Sequence, residues 1–323
     1  MQLRAVHTVI AGILAAAFWC AAVVPGRAGP AVTEALVTNQ TGDSLSIVSL
    51  RDMKTVAEIA VEGKPAGIAV SPDGSRAYLS APEGKDVIVI DVAARKILRR
   101  IKVGEAPLGI AAHPANGLIY VADWYTHKIS AVDPAAGKVV AEIPVGDSPS
   151  GLAVTPDGKL LLSADRDSDA VSIIDTEKNA RVGTLKVGAR PFGITIDSTG
   201  TRAYTANVAS DDITIIDIAA AKAIGTVKVG HRPYAIALAG GRAYVTNQYA
   251  STVSVIDTES LQTVATLDVG DHPEGIAADP AGANIYVACW FDNVLMRIDT
   301  STLAVNGEAT VGDGPRAFGL FLR

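Results

Sequence analysis

The sequence predicts an all-β fold, a seven-bladed β-propeller built from four-stranded antiparallel blades. The first observation is a run of evenly spaced prolines, with intervals of 42, 42, 42, 42, 40 and 42 residues, at Pro65, Pro107, Pro149, Pro191, Pro233, Pro273 and Pro315. The second is a set of aspartates that recurs in step, at Asp91, Asp133, Asp175, Asp217, Asp257 and Asp299. A period of about 40 residues is typical of propeller blades.

Each repeat contains four short runs that are typical of strands. In the repeat near residue 250 they are Tyr234–Leu238, Arg242–Asn247, Thr252–Asp257 and Thr263–Val269, which we label A to D. Turn residues such as Gly240-Gly241 separate the runs. Four strands with turns every 8–12 residues, repeated seven times, indicate a propeller in which each blade stacks on its neighbours.

The two ends of the sequence predict how the ring closes. The first repeat opens with a strand of type B at Ala35–Asn39, and residues Ala317–Leu322 occupy the place of strand A. We therefore expect one blade with three strands from the N-terminal end and one strand from the C-terminal end. Such pairing removes two open sheet edges and locks the ring.

The first 28 residues have the features of a secretory signal peptide. Arg4 precedes an apolar run from Val9 to Val24, and Gly26-Arg27-Ala28 resembles a cleavage site. The alternative is an uncleaved membrane anchor, but a spanning helix needs about 20 apolar residues and this run is shorter. We predict a signal peptide over residues 1–28, a single propeller over 29–323, no membrane span after cleavage, and a periplasmic or secreted location.

Composition narrows the range of partners. Removing residues 1–28 takes away two arginines and no acidic residue, so the net charge changes from −6 to −8. An acidic protein has no general attraction to nucleic acid or anionic lipid. We expect a monomer whose partner is a small molecule or a periplasmic protein. Cys289 is the one cysteine after cleavage, which excludes an intrachain disulfide.

Several motifs carry a family resemblance. Tyr244-Val245-Thr246-Asn247 is followed by Val253–Asp257, and the turn Ser71-Pro72-Asp73-Gly74 has a counterpart at Thr155-Pro156-Asp157-Gly158. Over residues 34–323 the chain resembles the YVTN-repeat propellers of the bacterial periplasm and cell surface. The resemblance implies a binding or scaffold protein that is accessory to a redox or quinoprotein system. The alternative function is that of a lyase or lactonase acting at the channel mouth, because seven-bladed enzymes of those classes have a similar architecture.

Antiparallel connection places the B–C and D–A loops on one face, which we call the top face, and the A–B and C–D turns on the bottom face. Seven aromatic residues outside the repeat and the closing strand all fall in top-face connections or at the entry to strand A: Trp124, Tyr125, Phe192, Tyr234, Tyr249, Trp290 and Phe291. His127, His231 and His272 belong to the same face, whereas His113 lies in an A–B turn and is expected at the surface. Aromatic residues in loops that do not follow the repeat indicate a binding or catalytic use of this face, and the alternative is packing between the loops.

The residue after each repeat proline is expected at the mouth of the channel. These residues are Ala66, Leu108, Ser150, Phe192, Tyr234, Glu274 and Arg316. The pair Glu274 and Arg316 has two interpretations, an ionic sector that orients a ligand or an ion pair that joins two blades. The candidate ligand-binding residues are Trp124, His127, Arg190, Phe192, His231, Arg232, Tyr234, Asp271, His272, Glu274, Trp290 and Arg316.

Chemistry beyond binding has little support in the sequence. The histidines show no short metal-binding spacing, so we predict no metal and no cofactor. Cys289 is interpreted as a small buried residue, and the alternative is a metal ligand together with His272. No Gly-x-Ser-x-Gly, His-Glu-x-x-His, phosphate-loop or Cys-x-x-Cys-His motif occurs. A non-enzymatic role is favoured, and no residue can be assigned a catalytic role.

Overall fold

The computed structural model describes residues 32–323, and the predicted signal peptide lies outside the described residues. Seven sheets are arranged as blades I to VII. Five of them have four antiparallel strands with strand A innermost, the sheet of blade I has three strands, and the sheet of blade II has a fifth strand from the C-terminal segment. The predicted seven-bladed propeller is confirmed.

The strands follow the predicted order. Blade I comprises β1 Glu34–Asn39, β2 Ser44–Ser49 and β3 Lys54–Ala60. Blade II comprises β4 Gly67–Val70, β5 Arg76–Ala81, β6 Asp86–Asp91 and β7 Lys96–Lys102. Blade III comprises β8 Pro107–Ala112, β9 Ile119–Asp123, β10 Lys128–Asp133 and β11 Lys138–Pro144. Blade IV comprises β12 Pro149–Val154, β13 Leu160–Asp165, β14 Ala170–Asp175 and β15 Ala180–Lys186. Blade V comprises β16 Pro191–Ile196, β17 Arg202–Asn207, β18 Asp212–Asp217 and β19 Lys222–Lys228. Blade VI comprises β20 Pro233–Ala239, β21 Arg242–Asn247, β22 Thr252–Asp257 and β23 Thr263–Asp268. Blade VII comprises β24 Pro273–Ala278, β25 Asn284–Cys289, β26 Val294–Asp299 and β27 Val305–Thr310. The last strand is β28, Phe318–Leu320, and two short 3-10 turns occur at Arg166–Ser168 and Gln248–Ala250.

Burial separates the inner strands of each blade from the outermost strand. The middle strands β17 and β18 of blade V are buried along nearly their whole length, whereas the outer strand β19 is mostly exposed. The middle strands are rich in Ile, Val and Ala, which pack well between stacked sheets. The core therefore lies between neighbouring blades. Among residues 32–323, no helix is long and apolar enough to cross a membrane.

The ring closes as predicted, through pairing of the C-terminal segment with β1. The Arg316 amide donates to Thr38 at 2.8 Å, the Leu36 amide donates to Phe321 at 2.8 Å, and the Arg323 amide donates to Glu34 at 2.9 Å. β28 also pairs in parallel with β4 of blade II. Gly319 permits this close approach, because its φ is +131° and a Cβ atom there would overlap the carbonyl oxygen of Ile68.

A repeated hydrogen bond holds the top-face loops together. In blades V and VI, the Arg190 amide donates to Asp169 Oδ1 and the Arg232 amide donates to Asp211 Oδ1, both at 2.8 Å. All four residues have positive φ. The donor lies 21 residues after the acceptor, so each bond ties a B–C loop to the next D–A connection. The same hydrogen bond, from a backbone amide to a side-chain acceptor, recurs in three other places: from Lys64 to Asp43, from Ser148 to His127 and from Gly314 to Asn293.

The expectation for His113 is wrong, because this side chain is buried at 8% exposure. Its Nε2 lies 2.9 Å from the carbonyl oxygen of Gly158 in the next blade. The amides of Ala115 and Asn116 donate to Nδ1, both at 3.0 Å. His113 therefore joins the A–B turns of blades III and IV, and the Nδ1 contacts require a neutral ring with the proton on Nε2.

Candidate functional site

Aromatic side chains close the top of the central channel. Phe192 lies with its ring centroid 4.5 Å from Tyr234 and 4.9 Å from Phe318, and Tyr234 lies 5.6 Å from Phe318. Trp124 packs on the outer side of Phe192 at 6.2 Å. Phe192, Tyr234 and Phe318 are each buried. We call these three residues the aromatic plug, since they fill the channel mouth, where the sequence predicted Phe192 and Tyr234 to lie.

A buried polar network lies beside the plug. Arg316 Nε donates to Glu274 Oε2 at 2.8 Å, and Gln248 Nε2 donates to Glu274 Oε1 at 2.6 Å. Arg232 Nε then donates to Gln248 Oε1 at 2.6 Å. The chain Arg232–Gln248–Glu274–Arg316 therefore connects blades VI, VII and I. Both arginines keep one side toward aromatic rings, with Arg316 5.0 Å from the Trp290 centroid and Arg232 4.7 Å from the Tyr249 centroid.

Electrostatics in this network follow from burial. Glu274 is 2% exposed. Burial raises the pKa of Glu274, and the charge and hydrogen bonds of Arg316 together with the hydrogen bond of Gln248 offset part of that shift. Burial also raises the pKa of Tyr234. The Tyr234 hydroxyl makes no hydrogen bond of good geometry, although it lies near enough to Glu274 for each group to influence the other. In this network Glu274 accepts hydrogen bonds from Arg316 and Gln248, and it thereby positions both side chains.

An exposed row of four rings lies on the top face of blades VI and VII. His231 lies 5.5 Å from Tyr249, Tyr249 lies 5.3 Å from His272, and His272 lies 4.4 Å from Phe291. Tyr249 is 53% exposed and Phe291 is 59% exposed. We call His231, Tyr249, His272 and Phe291 the ring row. Two large aromatic side chains left in solvent beside two imidazoles form a surface suited to binding.

Acidic residues fix the two histidines of the ring row. His231 Nδ1 lies 3.1 Å from Asp211, and His272 Nδ1 lies 2.8 Å from Asp271 Oδ1. The hydrogen bond with His272 is the largest of the effects that lower the pKa of Asp271. Each carboxylate orients an imidazole so that Nε2 faces away from the bond. Asp271 therefore has a positioning role in this surface.

The remaining candidates lie on other blades. His127 is exposed, and its Nδ1 accepts the amide of Ser148 at 3.1 Å in the repeated loop contact. Arg190 is exposed, with Nε 3.8 Å from Asp167. Arg166 lies 5.3 Å above Trp124. Of the candidates, His231 and His272 belong to the ring row, and Arg232 and Asp271 contact it. Glu274, Arg316 and Trp290 lie together beside the aromatic plug. His127 and Arg190 belong to other loops.

Cys289 occupies the end of β25, where five of the other six blades carry Asn or Asp and blade II carries Ala81. In blade VI the equivalent Asn247 donates to Thr252 and Ser254. Cys289 is fully buried, and burial raises the pKa of its thiol to about 12. A thiol with so high a pKa is a weak nucleophile and a weak metal ligand. Within residues 32–323, no cluster of three or more His, Cys, Asp or Glu side chains could hold a metal ion.

Asp211, Gln248 and Phe318 are site residues for which sequence reasoning predicted no role. Gln248 follows the last residue of β21, and its side chain accepts a hydrogen bond from Arg232 and donates one to Glu274. Its signal was weak, because a single amide in a loop is common. Phe318 lies in the closing strand, and only the ring geometry shows that its side chain reaches the axis.

Fold and loop geometry define the molecule as a seven-bladed β-propeller with a candidate binding surface on blades VI and VII. A family model described as YNCE-like beta-propeller matches residues 19–117. Solved structures are also similar over most of the chain. One is "Kuenenia stuttgartiensis Hydrazine Synthase", with 23% identity, a TM-score of 0.77, and coverage of 83% of this chain and 93% of the other.

The second similar structure is that of a functionally unknown protein from Desulfotomaculum acetoxidans DSM 771. It shows 17% identity and a TM-score of 0.74, and covers 88% of this chain and 99% of the other. A search of curated proteins finds no match to the sequence. These similarities show the propeller fold.

Proposed function

We propose that this protein is a periplasmic binding propeller whose top face docks a protein partner on blades VI and VII. The ring row is the observation that carries the proposal. Tyr249 and Phe291 are each more than half exposed, and they alternate with His231 and His272 across a blade boundary. Aromatic residues and arginine dominate the binding energy of protein interfaces, and exposed aromatic clusters mark such sites.

The support beneath the ring row favours docking over catalysis. Arg232 lies between Tyr249 and Gln248, so the exposed row rests on the buried network. Both carboxylate oxygens of Glu274 already accept hydrogen bonds, from Gln248 and Arg316. The hydrogen-bonded network beneath the ring row holds the exposed rings in place, so this surface is preorganised for binding. The lyase or lactonase alternative would need Glu274 or Arg316 to reach a substrate, and their contacts favour a structural role.

The accessory role beside a redox or quinoprotein system rests on the family resemblance of the sequence. One similar structure is that of a hydrazine synthase, so a propeller of this shape occurs in an enzyme structure. This similarity is compatible with an accessory role for the present chain. The periplasmic location follows from the predicted signal peptide.

Site-specific photo-crosslinking in the native host tests the proposal. A benzophenone amino acid is placed at Tyr249, at Phe291, or at Val182, which is 56% exposed on the outer strand β15. We expect one discrete protein adduct from Tyr249 and Phe291 and none from Val182. An adduct of small mass would instead identify a small-molecule site. Equal crosslinking from all three positions, or none from Tyr249 and Phe291, would overturn the proposal.

Affinity for the captured partner gives the quantitative test. Replacing Tyr249 and Phe291 together with alanine is expected to weaken binding by about 2 kcal/mol or more, the loss typical of aromatic hot spots. Val182→Ala is the matched control, since it removes an equally exposed apolar side chain elsewhere. Isothermal titration with purified proteins measures both.

A further inference from the structure

The lower part of the central channel contains a cavity of about 380 Å³. Phe318 of the aromatic plug forms its closed end. Pro72, Pro114 and Pro156, which belong to the A–B turns of blades II, III and IV, lie at the other end. The cavity is therefore a blind pocket that opens on the bottom face. Its volume lies within the range of about 300–1,000 Å³ that is usual for small-molecule sites.

The wall of this pocket carries no charged side chain. Of the 24 lining residues, only Thr155 and Thr195 have polar side chains, and the others are Gly, Ala, Val, Leu, Ile, Pro or Phe. Charged residues make up 19% of the whole sequence, so the wall differs sharply from the rest of the chain. Burying an unpaired charge against such a wall is strongly unfavourable. The pocket therefore excludes ions and favours an uncharged occupant.

Leu320 gives the wall an unpartnered apolar group. Its exposure of 72% is the highest of any large hydrophobic residue among those that the structure describes. Leu320 belongs to β28, which reaches the channel because Gly319 allows the strand to approach Ile68 closely. An apolar molecule in the pocket would cover this side chain, as hydrophobic burial favours.

The inner strands supply hydrogen-bonding groups to an otherwise apolar pocket. Strands β8, β12 and β16 each pair with a single neighbour, so one edge of each is unpaired. Residues from all three strands line the cavity. Unpaired backbone amides and carbonyls can bind a hydroxyl or carbonyl group without a charged side chain. The wall therefore suits a molecule with an aliphatic body and one or two neutral polar groups.

We propose that the channel is a second binding site, for one small uncharged aliphatic or alicyclic molecule that carries a hydroxyl or carbonyl group and enters from the bottom face. The site is separate from the ring row, because the aromatic plug lies between the channel cavity and the top face. Binding here does not depend on the partner proposed for the top face.

A fluorescent probe tests the channel site directly. The uncharged dye 1-N-phenylnaphthylamine becomes bright in apolar surroundings and is titrated into the purified mature protein. We expect one saturable site per chain, and displacement by 1-decanol. Decanoate and decyltrimethylammonium have the same alkyl chain with a charge, and each should displace the dye at least tenfold more weakly, since the wall offers no counter-charge.

Variants of the wall locate the bound dye. Leu320→Asp places a charge in the pocket and is expected to weaken dye binding more than tenfold. Leu98→Asp is the matched control on the outer strand β7, where Leu98 is 50% exposed, and it should bind the dye as the wild type does. Ala153→Phe fills the pocket from β12 and should also abolish binding, while thermal melts confirm folding. The proposal is overturned if the wild type shows no saturable binding, or if Leu320→Asp binds the dye normally.

Discussion

Arg316, which is half-buried, and the buried Glu274 form an ion pair across the seam where the ring closes, with Arg316 Nε 2.8 Å from Glu274 Oε2. Each follows a repeat proline, so both lie at the same position of consecutive repeats. Of the two interpretations that the sequence allowed, the observed contact is the one that joins two blades. Through Gln248 and Arg232, the same pair also supports the exposed ring row.

Removing one partner of this pair is expected to be costly. Arg316→Met leaves Glu274 buried beside Gln248 alone, and Glu274→Gln leaves the guanidinium without its counter-charge. Each single change should lower the free energy of unfolding by about 3–5 kcal/mol, whereas the double variant should lose less than the sum. Urea unfolding of the four proteins measures the coupling. Additive losses below about 1 kcal/mol each would show that the pair contributes little.

Asp165 provides a prediction about pH. Burial raises the pKa of Asp165 above its ordinary value of 3.8, and hydrogen bonds from Ser172 and Ser163 offset part of the shift. The folded state therefore binds this proton more tightly than the unfolded state, and stability from protonation is lost as pH rises through the raised pKa. Asp165→Asn should be more stable than the wild type at neutral pH, with the difference shrinking as pH falls towards 3.8. Thermal melts across that range measure it.

The geometry of other blades explains why asparagine should fit there. Asn247 donates to Ser254 seven residues later, and Asn207 donates in the same way to Thr214. Ser172 stands at the equivalent distance from Asp165 and could accept the new donor. Asp165→Ala is the matched control, because it removes both charge and hydrogen bonds and should destabilise the protein at every pH.

Ring closure should depend on the buried part of the C-terminal segment. Phe321 is fully buried, and Phe321→Ala is expected to cost about 3–5 kcal/mol. Leu320→Ala, at the exposed neighbouring position, should change stability by no more than about 0.5 kcal/mol. Deleting residues 317–323 should abolish cooperative unfolding and cause aggregation, because it exposes the edge of β1. A truncated chain that melts like the full chain would show that closure is dispensable.

Export gives a simple mass prediction. The mature N-terminus should be Gly29, since Gly26-Arg27-Ala28 precedes it. Intact-mass measurement of the protein recovered from a periplasmic extract checks this directly. A mass that still includes residues 1–28 would indicate an uncleaved leader.

The repeat made the fold predictable, because a proline marks the same place in all seven repeats and an aspartate marks another place in six of them. Closure was predictable for the same reason, from the strand type at each end. Periodicity does not give distances across the ring, so the meeting of Phe318 with Phe192 and Tyr234 could not be predicted. The residues after the repeat prolines were expected at the channel mouth, and the aromatic plug adds Phe318 to them.

Two histidines show where reasoning from residue type alone was insufficient. His127 was singled out as a candidate ligand, yet its Nδ1 fills the place that Asp169 and Asp211 occupy in later blades. The equal spacing of these residues was a signal that could have shown a structural role. His113 was expected at the surface, but its two ring nitrogens satisfy backbone groups between blades III and IV. The contacts of His113 do not follow from local sequence.

The closing seam also sets an order of events for the growing chain. Glu34 and Arg323 are 289 residues apart, and their contact forms only when the final residues are available. Contacts of such long separation are slow to form, because a large loop must close first. Blade I is thus the first to be started and the last to be finished. If the chain crosses a membrane unfolded and N-terminus first, blade I stays incomplete until the C-terminal residues have crossed as well.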